Sequence, residues 1–433
     1  MIEFKPTKYS LMNVATGRVF EDAGWTLADN EYSGAPSLVR AIYDKKQLEL
    51  RGEEYGIYTY ADWLPVRRIL KGSARTITYK SEKLAAELGM DNLYISFSGY
   101  WPEKGAYMRT CSFKETEAYS VCGRLPEGND RVLVVASAGN TARAFAQVCS
   151  DNNIPLLLFV PQDNIGALWF EKPLNDCVKL ICAPQGCDYF DAIALSQAAC
   201  SDPYFMDEGG AKNVARRDGM STTMLSATTT IGRIPDAYFQ AVGSGTGAIA
   251  AWEANLRLIG DGRWGEHKMR LYPVQNIPFV PMYDAWKAGS RDLLPMDQEE
   301  ARIKAGEIDA KVLSNRKPPY SIIGGLFDAI KDTNGDMEIA NNSDICAQSE
   351  LFLRTEGIDI HPAAAIALSG MMKALESGKI RRDEVVMLNI TGGGEKRFKS
   401  EKSDIFYLKP DLVLKPDTDK EEVVTKAKSL FAK

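Results

Sequence analysis

Residues 131–150 read RVLVVASAGNTARAFAQVCS, and residues 151–183 continue DNNIPLLLFVPQDNIGALWFEKPLNDCVKLICA. RVLVVAS is a short apolar run, which predicts a strand, and SAGN predicts a turn. TARAFAQVCS places Ala142, Phe145, Ala146 and Cys149 near one helical face. IPLLLFVP and VKLICAP predict the next two strands, and DYFDAIALSQAAC the next helix. Strand and helix alternating within so short a stretch imply a small, doubly wound, largely parallel α/β lobe, because parallel neighbours need crossover helices.

A second unit of the same kind begins at Tyr238. There YFQAVGSGTG leads into AIAAWEANLRLIG, so a glycine-rich turn joins a predicted strand to a predicted helix. RLYPVQNIPF resembles a further strand, and EVVMLNI at 384–390 is expected to return to this larger lobe's sheet, with TGGG at its exit. Upstream, TYKSEKLAAELG at 78–89 has helical periodicity with Gly89 as a stop, and DNLYISFSGYW predicts a turn and a strand. Residues 1–60 are mixed, with a short strand-turn-strand element expected. Residues 288–335 are polar and turn-rich, suited to covering a site or to surface excursions. The expected division is an amino-terminal lead-in at 1–60, a large lobe at 61–105 and 236–433, and a small lobe at 106–235.

The 433 residues carry 45% hydrophobic and 25% charged side chains and a formal charge of -6. That composition suits a globular protein of two lobes, or three units if the lead-in packs separately. Net acidity argues against a nucleic-acid partner. No long apolar run marks a membrane span or a signal segment, so a cytoplasmic protein is expected. The eight cysteines, at 111, 122, 149, 177, 182, 187, 200 and 346, contain no CxxC pair. Buried reduced thiols are expected rather than a disulfide framework or a metal knuckle.

Three segments carry candidate chemistry. Thr110-Cys111-Ser112-Phe113-Lys114-Glu115 places a lysine in a mostly uncharged stretch. Lys114 is either solvated, paired with Glu115 or Glu117, or a Schiff-base amine, and Ser112 is a candidate cap for the helix that follows. Ser137-Ala138-Gly139-Asn140-Thr141 sits at a strand end. It reads either as a helix cap supplied by Asn140 or Thr141, or as a cradle of amides and hydroxyls for a substrate carboxylate. Gly243-Ser244-Gly245-Thr246-Gly247 is either a structural turn or a phosphate cup. It lacks the lysine of a Walker A loop, and a dinucleotide fold remains open from this segment alone. Thr391-Gly392-Gly393-Gly394 is a tight turn or brings a hydroxyl to a heterocyclic nitrogen.

In their order along the chain these segments resemble the fold-type II pyridoxal-phosphate enzymes, which have a tryptophan synthase beta-like fold, and the threonine synthase group in particular. Gly56-Ile57-Tyr58-Thr59-Tyr60, Leu88-Gly89-Met90-Asp91-Asn92-Leu93-Tyr94-Ile95, and Glu356-Gly357 followed by His361-Pro362-Ala363-Ala364-Ala365 extend the likeness. The resemblance implies two lobes with an active site between them. It implies pyridoxal 5'-phosphate bound as a Schiff base on Lys114, with Asn140 at its hydroxyl, Gly243, Ser244, Gly245, Thr246 and Gly247 at its phosphate and Thr391 at its ring nitrogen. Ser137, Ala138, Gly139 and Thr141 would hold substrate.

Departures from the threonine synthase pattern narrow the reading. Gly72-Ser73-Ala74-Arg75-Thr76-Ile77-Thr78 stands where that group has Gly-Glu-Gly-x-Thr-Pro-Leu. Tyr94-Ile95-Ser96-Phe97-Ser98 replaces Tyr-Ile-Lys-x-Glu, and Glu115 replaces Asp. The lead-in is similar to a zinc-ribbon region whose cysteines are gone, so no metal is expected. With these departures the chain resembles the cysteate synthases of methanogenic archaea. That likeness implies β-replacement of the phosphate of O-phospho-L-serine by sulfite, toward coenzyme M, in a homo-oligomer. Arg75, Lys80, Lys104 and Arg109 lie in the departing region and are the candidate cations for the two anions. Threonine synthase chemistry on O-phospho-L-homoserine, a sulfide-using cysteine synthase-like activity and a non-catalytic cofactor-binding protein remain as alternatives.

Overall fold

The computed structural model describes residues 5–126 and 128–432. Its larger sheet has six strands, in the order Glu338–Ala340, Arg270–Asn276, Ala237–Ala241, Val385–Ile390, Asn92–Phe97 and Ile77–Lys80. All neighbours are parallel except the last pair. Strand periodicity divides the apolar residues between two cores. Phe239, Tyr272 and Leu388 face the helix Pro362–Glu376 on one side. Their neighbours Tyr238, Leu271 and Met387 face the helices Val214–Ile231 and Thr246–Asp261 on the other.

The smaller sheet is wholly parallel, in the order Phe205–Asp207, Val132–Ala136, Leu156–Pro161, Val178–Ala183 and Leu412–Val413. Leu133, Val135, Leu156 and Leu158 pack on the helices Lys114–Arg124 and Asn140–Asn152. Val132, Val134, Leu157 and Phe159 pack on Tyr189–Ala199 and Lys420–Ser429. Burial on both faces is why these strands read as unbroken apolar runs. Gly89, at φ 66°, ends the helix Lys83–Leu88, but the first residues of the expected 78–89 helix belong to the edge strand Ile77–Lys80.

Three parts of the expected division differ. Residues 406–430 extend the small lobe rather than the large one: Leu412–Val413 pairs with Ile181 and Cys182, and Val423 and Ala427 bury against Leu195 and Ala199. A two-residue strand between polar turns carries no period to announce it. The helix Val214–Ile231, expected in the small lobe, packs on the large sheet through Met224, Leu225 and Ala227. Ile57, Ala61, Leu64 and Val66 bury in the small lobe's core.

The lead-in forms an antiparallel sheet of Tyr9–Asn13, Val19–Phe20 and Val39–Tyr43. It is not a separate unit. Leu11, Val39 and Tyr43 join the large lobe's core, Arg217 donates to the Val39 carbonyl, and the Tyr43 hydroxyl donates to Asp218 at 2.6 Å. Among the described residues, no helix is long and apolar enough to cross a membrane and no group of His, Cys, Asp and Glu is placed to hold a metal ion. All eight cysteines are free, four of them buried.

The Lys114–Arg124 helix touches the Val214–Ile231 helix where Gly219 meets it. A Cβ on Gly219 would lie 2.4 Å from the Thr116 carbonyl oxygen. Gly219→Ala is therefore expected to destabilise the protein by about 1–3 kcal/mol through overpacking. A lowered thermal midpoint checks this, and an unchanged one contradicts the crossing.

Candidate active site

A cavity of about 880 Å³ opens between the two sheets, at the carboxyl ends of their parallel strands. This is where ligands bind in open α/β sheets. Lys114, Ser137 to Thr141, Gly243 to Gly247 and Thr391 all line it. Segments distant in sequence are thus gathered at one place.

Lys114 opens its helix, and the loop after Val385–Ile390 fixes that start. The Phe113 N–H donates to the Thr391 carbonyl at 2.9 Å, the Gly393 N–H to Cys111 at 3.2 Å and the His361 N–H to Gly392 at 2.9 Å. Ser112 Oγ accepts from the Lys114 N–H at 3.3 Å, but no side chain caps the helix at Phe113. The Lys114 amine lies 3.3 Å from Glu117 Oε2. Burial holds it below the usual lysine range, Arg216 pushes the same way, and Glu117 opposes both. Glu115 points elsewhere, accepting from the Thr110 N–H and hydroxyl at 3.0 and 2.9 Å.

The asparagine loop is built differently from the expected cap. Ser137, rather than Asn140 or Thr141, satisfies the helix start: its Oγ accepts from the N–H groups of Gly139 and Ala142 at 3.0 and 3.1 Å. Gly139 takes φ 150° there. The Thr141 hydroxyl instead donates to Glu117 Oε1 at 2.9 Å. Among the described residues, the N–H groups of Ala138, Asn140 and Thr141 meet no acceptor, which leaves a cluster of donors at a helix N-terminus.

The glycine loop presents a second such cluster. The N–H groups of Gly245 and Gly247 meet no acceptor among the described residues, and the hydroxyls of Ser244 and Thr246 lie 2.9 Å apart beside them. Gly245 has φ 78°, and a Cβ on Gly243 would lie 2.9 Å from Leu313 Cα. Only glycine fits either position.

The four cations expected to meet substrate lie outside the cavity lining. Arg75 pairs with Glu53 at 2.6 Å and Lys80 donates to Asn92 at 3.1 Å. Lys104 sits over the Tyr79 ring, and Arg109 is taken by Asp151 and Glu171. Each has a local partner, and none of the four lines the cavity. Besides Lys114, the lysines and arginines lining the cavity are Lys212, Arg216, Arg302, Lys311, Arg316 and Lys317. Four of these come from the polar 288–335 stretch, so that segment does cover the site. Arg316 reaches the small lobe at Asp188, 2.6 Å away. A pair of arginines after Asn213 at a helix start was the available signal for Arg216.

A family model described as "Pyridoxal-phosphate dependent enzyme" matches residues 69–392. The chain belongs to that family. Within it, the chain is 49% identical over 389 residues to a cysteate synthase of Methanosarcina acetivorans, covering 89% of this chain and 93% of that one. It is 43% identical over 420 residues to a cysteate synthase of Methanospirillum hungatei, covering 97% and 98%. Among solved structures, maize serine racemase matches with a TM-score of 0.57 at 14% identity, over 75% of this chain and 91% of that one. Threonine deaminase isoform 2 of Solanum lycopersicum matches with a TM-score of 0.51 at 18% identity, over 76% and 87%. These two share the fold: this pyridoxal-phosphate dependent enzyme has the two-lobed fold-type II architecture.

His361 lines the same cavity and caps the Pro362–Glu376 helix, its Nδ1 accepting from the Ala363 N–H at 3.2 Å. Burial, reinforced by Arg143, lowers its pKa to about 4. An unfolded histidine titrates near ~6.5, so the unfolded chain takes up this proton first as the pH falls. Stability attributable to His361 is therefore lost from about 6.5 down to about 4. His361→Asn keeps an acceptor for the cap, and urea unfolding across this window should show a shallower pH slope. An unchanged slope would contradict a neutral His361.

Proposed function

We propose that the chain replaces the phosphate of O-phospho-L-serine with sulfite, giving L-cysteate and phosphate, a reaction that leads toward coenzyme M. The observation that carries the reading is the convergence of a half-buried lysine and two unsatisfied helix N-termini in one cavity lined by further cations. The near-full-length likeness to cysteate synthases supplies the product.

The residues present fit the cofactor. Lys114 offers an amine for its aldehyde, the amides of Gly245 and Gly247 with Ser244 and Thr246 offer donors for its phosphate, and the cup has no Cβ to block approach. Asn140 and Thr391 stand along the same cavity to meet its hydroxyl and ring nitrogen. When bound, pyridoxal phosphate withdraws electrons from the substrate α-carbon, which makes the α-proton acidic and lets the β-substituent leave.

The chain's own residues do the rest. The N–H groups of Ala138, Asn140 and Thr141 hold the substrate carboxylate at a helix N-terminus, where an anion is favoured. The Lys114 amine, its pKa drawn below the usual lysine range by burial, takes the α-proton and later returns it. The β-carbon–oxygen bond breaks with departure of phosphate, and the sulfur lone pair of sulfite forms the new carbon–sulfur bond. Lys212, Arg302 and Lys317 in the cavity lining attract both anions, which a chain of net charge -6 would otherwise repel. A homo-oligomer is part of the same proposal, by likeness to the family.

Product analysis with phosphoserine and sulfite, phosphoserine and sulfide, phosphoserine alone, and phosphohomoserine with water tests this. Cysteate should dominate with sulfite. Threonine from phosphohomoserine, or cysteine in preference to cysteate, would overturn the assignment. Lys114→Ala should lower turnover more than ~10³-fold, since it removes both the attachment and the proton carrier. A variant with most of its activity retained would point to a non-catalytic role for this lysine.

A further inference from the structure

We propose that Glu117 is a positioning residue for the Lys114 amine, fixing where it rests and how strongly it holds the α-proton. The inference rests on Lys114 as the proton carrier, and deepens that reading.

An ion pair one helical turn apart is ordinarily a solvated surface contact worth little. This one is different. The Glu117 side chain is 0% exposed, so its carboxylate needs partners on every side. It has three, each from a different part of the site. Oε2 faces the Lys114 amine at 3.3 Å, while Oε1 accepts from the Thr141 hydroxyl at 2.9 Å and faces Arg216 at 3.3 Å. Glu117 thereby joins the amine that moves the proton to the loop that holds the substrate carboxylate. Arg216 is itself gripped through two nitrogens by Glu208, one of them at 2.7 Å, so the carboxylate's far side is anchored to the Val214–Ile231 helix.

The charges around the amine act in opposite directions. Burial and Arg216 disfavour the ammonium, and Glu117 and Glu208 favour it. Tyr189 faces the same Arg216–Glu208 pair, and burial keeps its hydroxyl proton on. His361 lines the cavity as a neutral ring. Glu117 is the only carboxylate among the described residues in contact with the amine. Removing its charge leaves burial and Arg216 to dominate, and the amine becomes a weaker base. A weaker base is neutral at lower pH and captures an aldehyde there more readily, but it abstracts the substrate proton less well. The two consequences have opposite signs, which a merely structural role would not produce.

Glu117→Gln keeps the shape and an acceptor oxygen. In the protein stripped of cofactor, the pH profile for capture of added pyridoxal phosphate, read by absorbance, should move at least ~1 pH unit to the acid side. In the reconstituted enzyme, kcat should fall at least ~10-fold with less than ~3-fold change in the phosphoserine KM. Glu117→Asp retains the charge on a shorter arm and should recover part of both, and it carries the test if the Gln variant does not fold. A capture profile that stays in place or moves to the alkaline side overturns the proposal, as does loss of capture and turnover in proportion. Wild-type protein that captures no cofactor would instead overturn the functional reading on which the proposal stands.

Discussion

The site depends on a backbone stitch between two loops: Phe113 N–H to the Thr391 carbonyl, and Gly393 N–H to the Cys111 carbonyl. Both loops are irregular, and without this exchange their buried polar groups would be left unpaired. The stitch welds the start of the Lys114 helix to the exit of the central strand Val385–Ile390. Lys114 and Thr391 are thereby held side by side, although 277 positions apart in the sequence. His361, bonded to Gly392, brings the Pro362–Glu376 helix into the same assembly.

Around that weld the two lobes contribute different things. The large lobe supplies the glycine cup at the head of Thr246–Asp261, and the small lobe supplies the donor cluster at the head of Asn140–Asn152. Both are helix N-termini with free amides, the arrangement that favours an anion. The ion-paired series Lys114–Glu117–Arg216–Glu208 links the helices Lys114–Arg124 and Val214–Ile231, and its alternating charges make the burial of Glu117 tolerable.

Much of this was legible along the chain because it is local. RVLVVAS, IPLLLFVP and VKLICAP announce a doubly buried sheet by the absence of polar alternation, and the Ser137 and Gly243 turns announce themselves by composition. Residues whose roles depend on distant partners were not legible. Arg75 and Arg109 are paired with Glu53 and Asp151, partners that no local pattern announces. Leu412–Val413 is too short to show a period, and its place is set by Ile181 and Cys182 across the lobe. Composition does not single out the Ser137 cap from its neighbours, because Ser, Asn and Thr all accept such bonds, and the Gly139 backbone angle selects among them. Lys114 was open to pairing with Glu115 or Glu117. Geometry chose Glu117, one turn on, because Glu115 is turned back to Thr110.

The central claim is that the amine at this weld is the one that carries the cofactor. Borohydride reduction of the pyridoxal-phosphate-loaded protein, followed by peptide mass mapping, tests it directly. The account predicts a pyridoxyl adduct on the peptide containing Lys114 and on no other lysine. An adduct confined to a different lysine, or none at all in protein that has bound the cofactor, would contradict it.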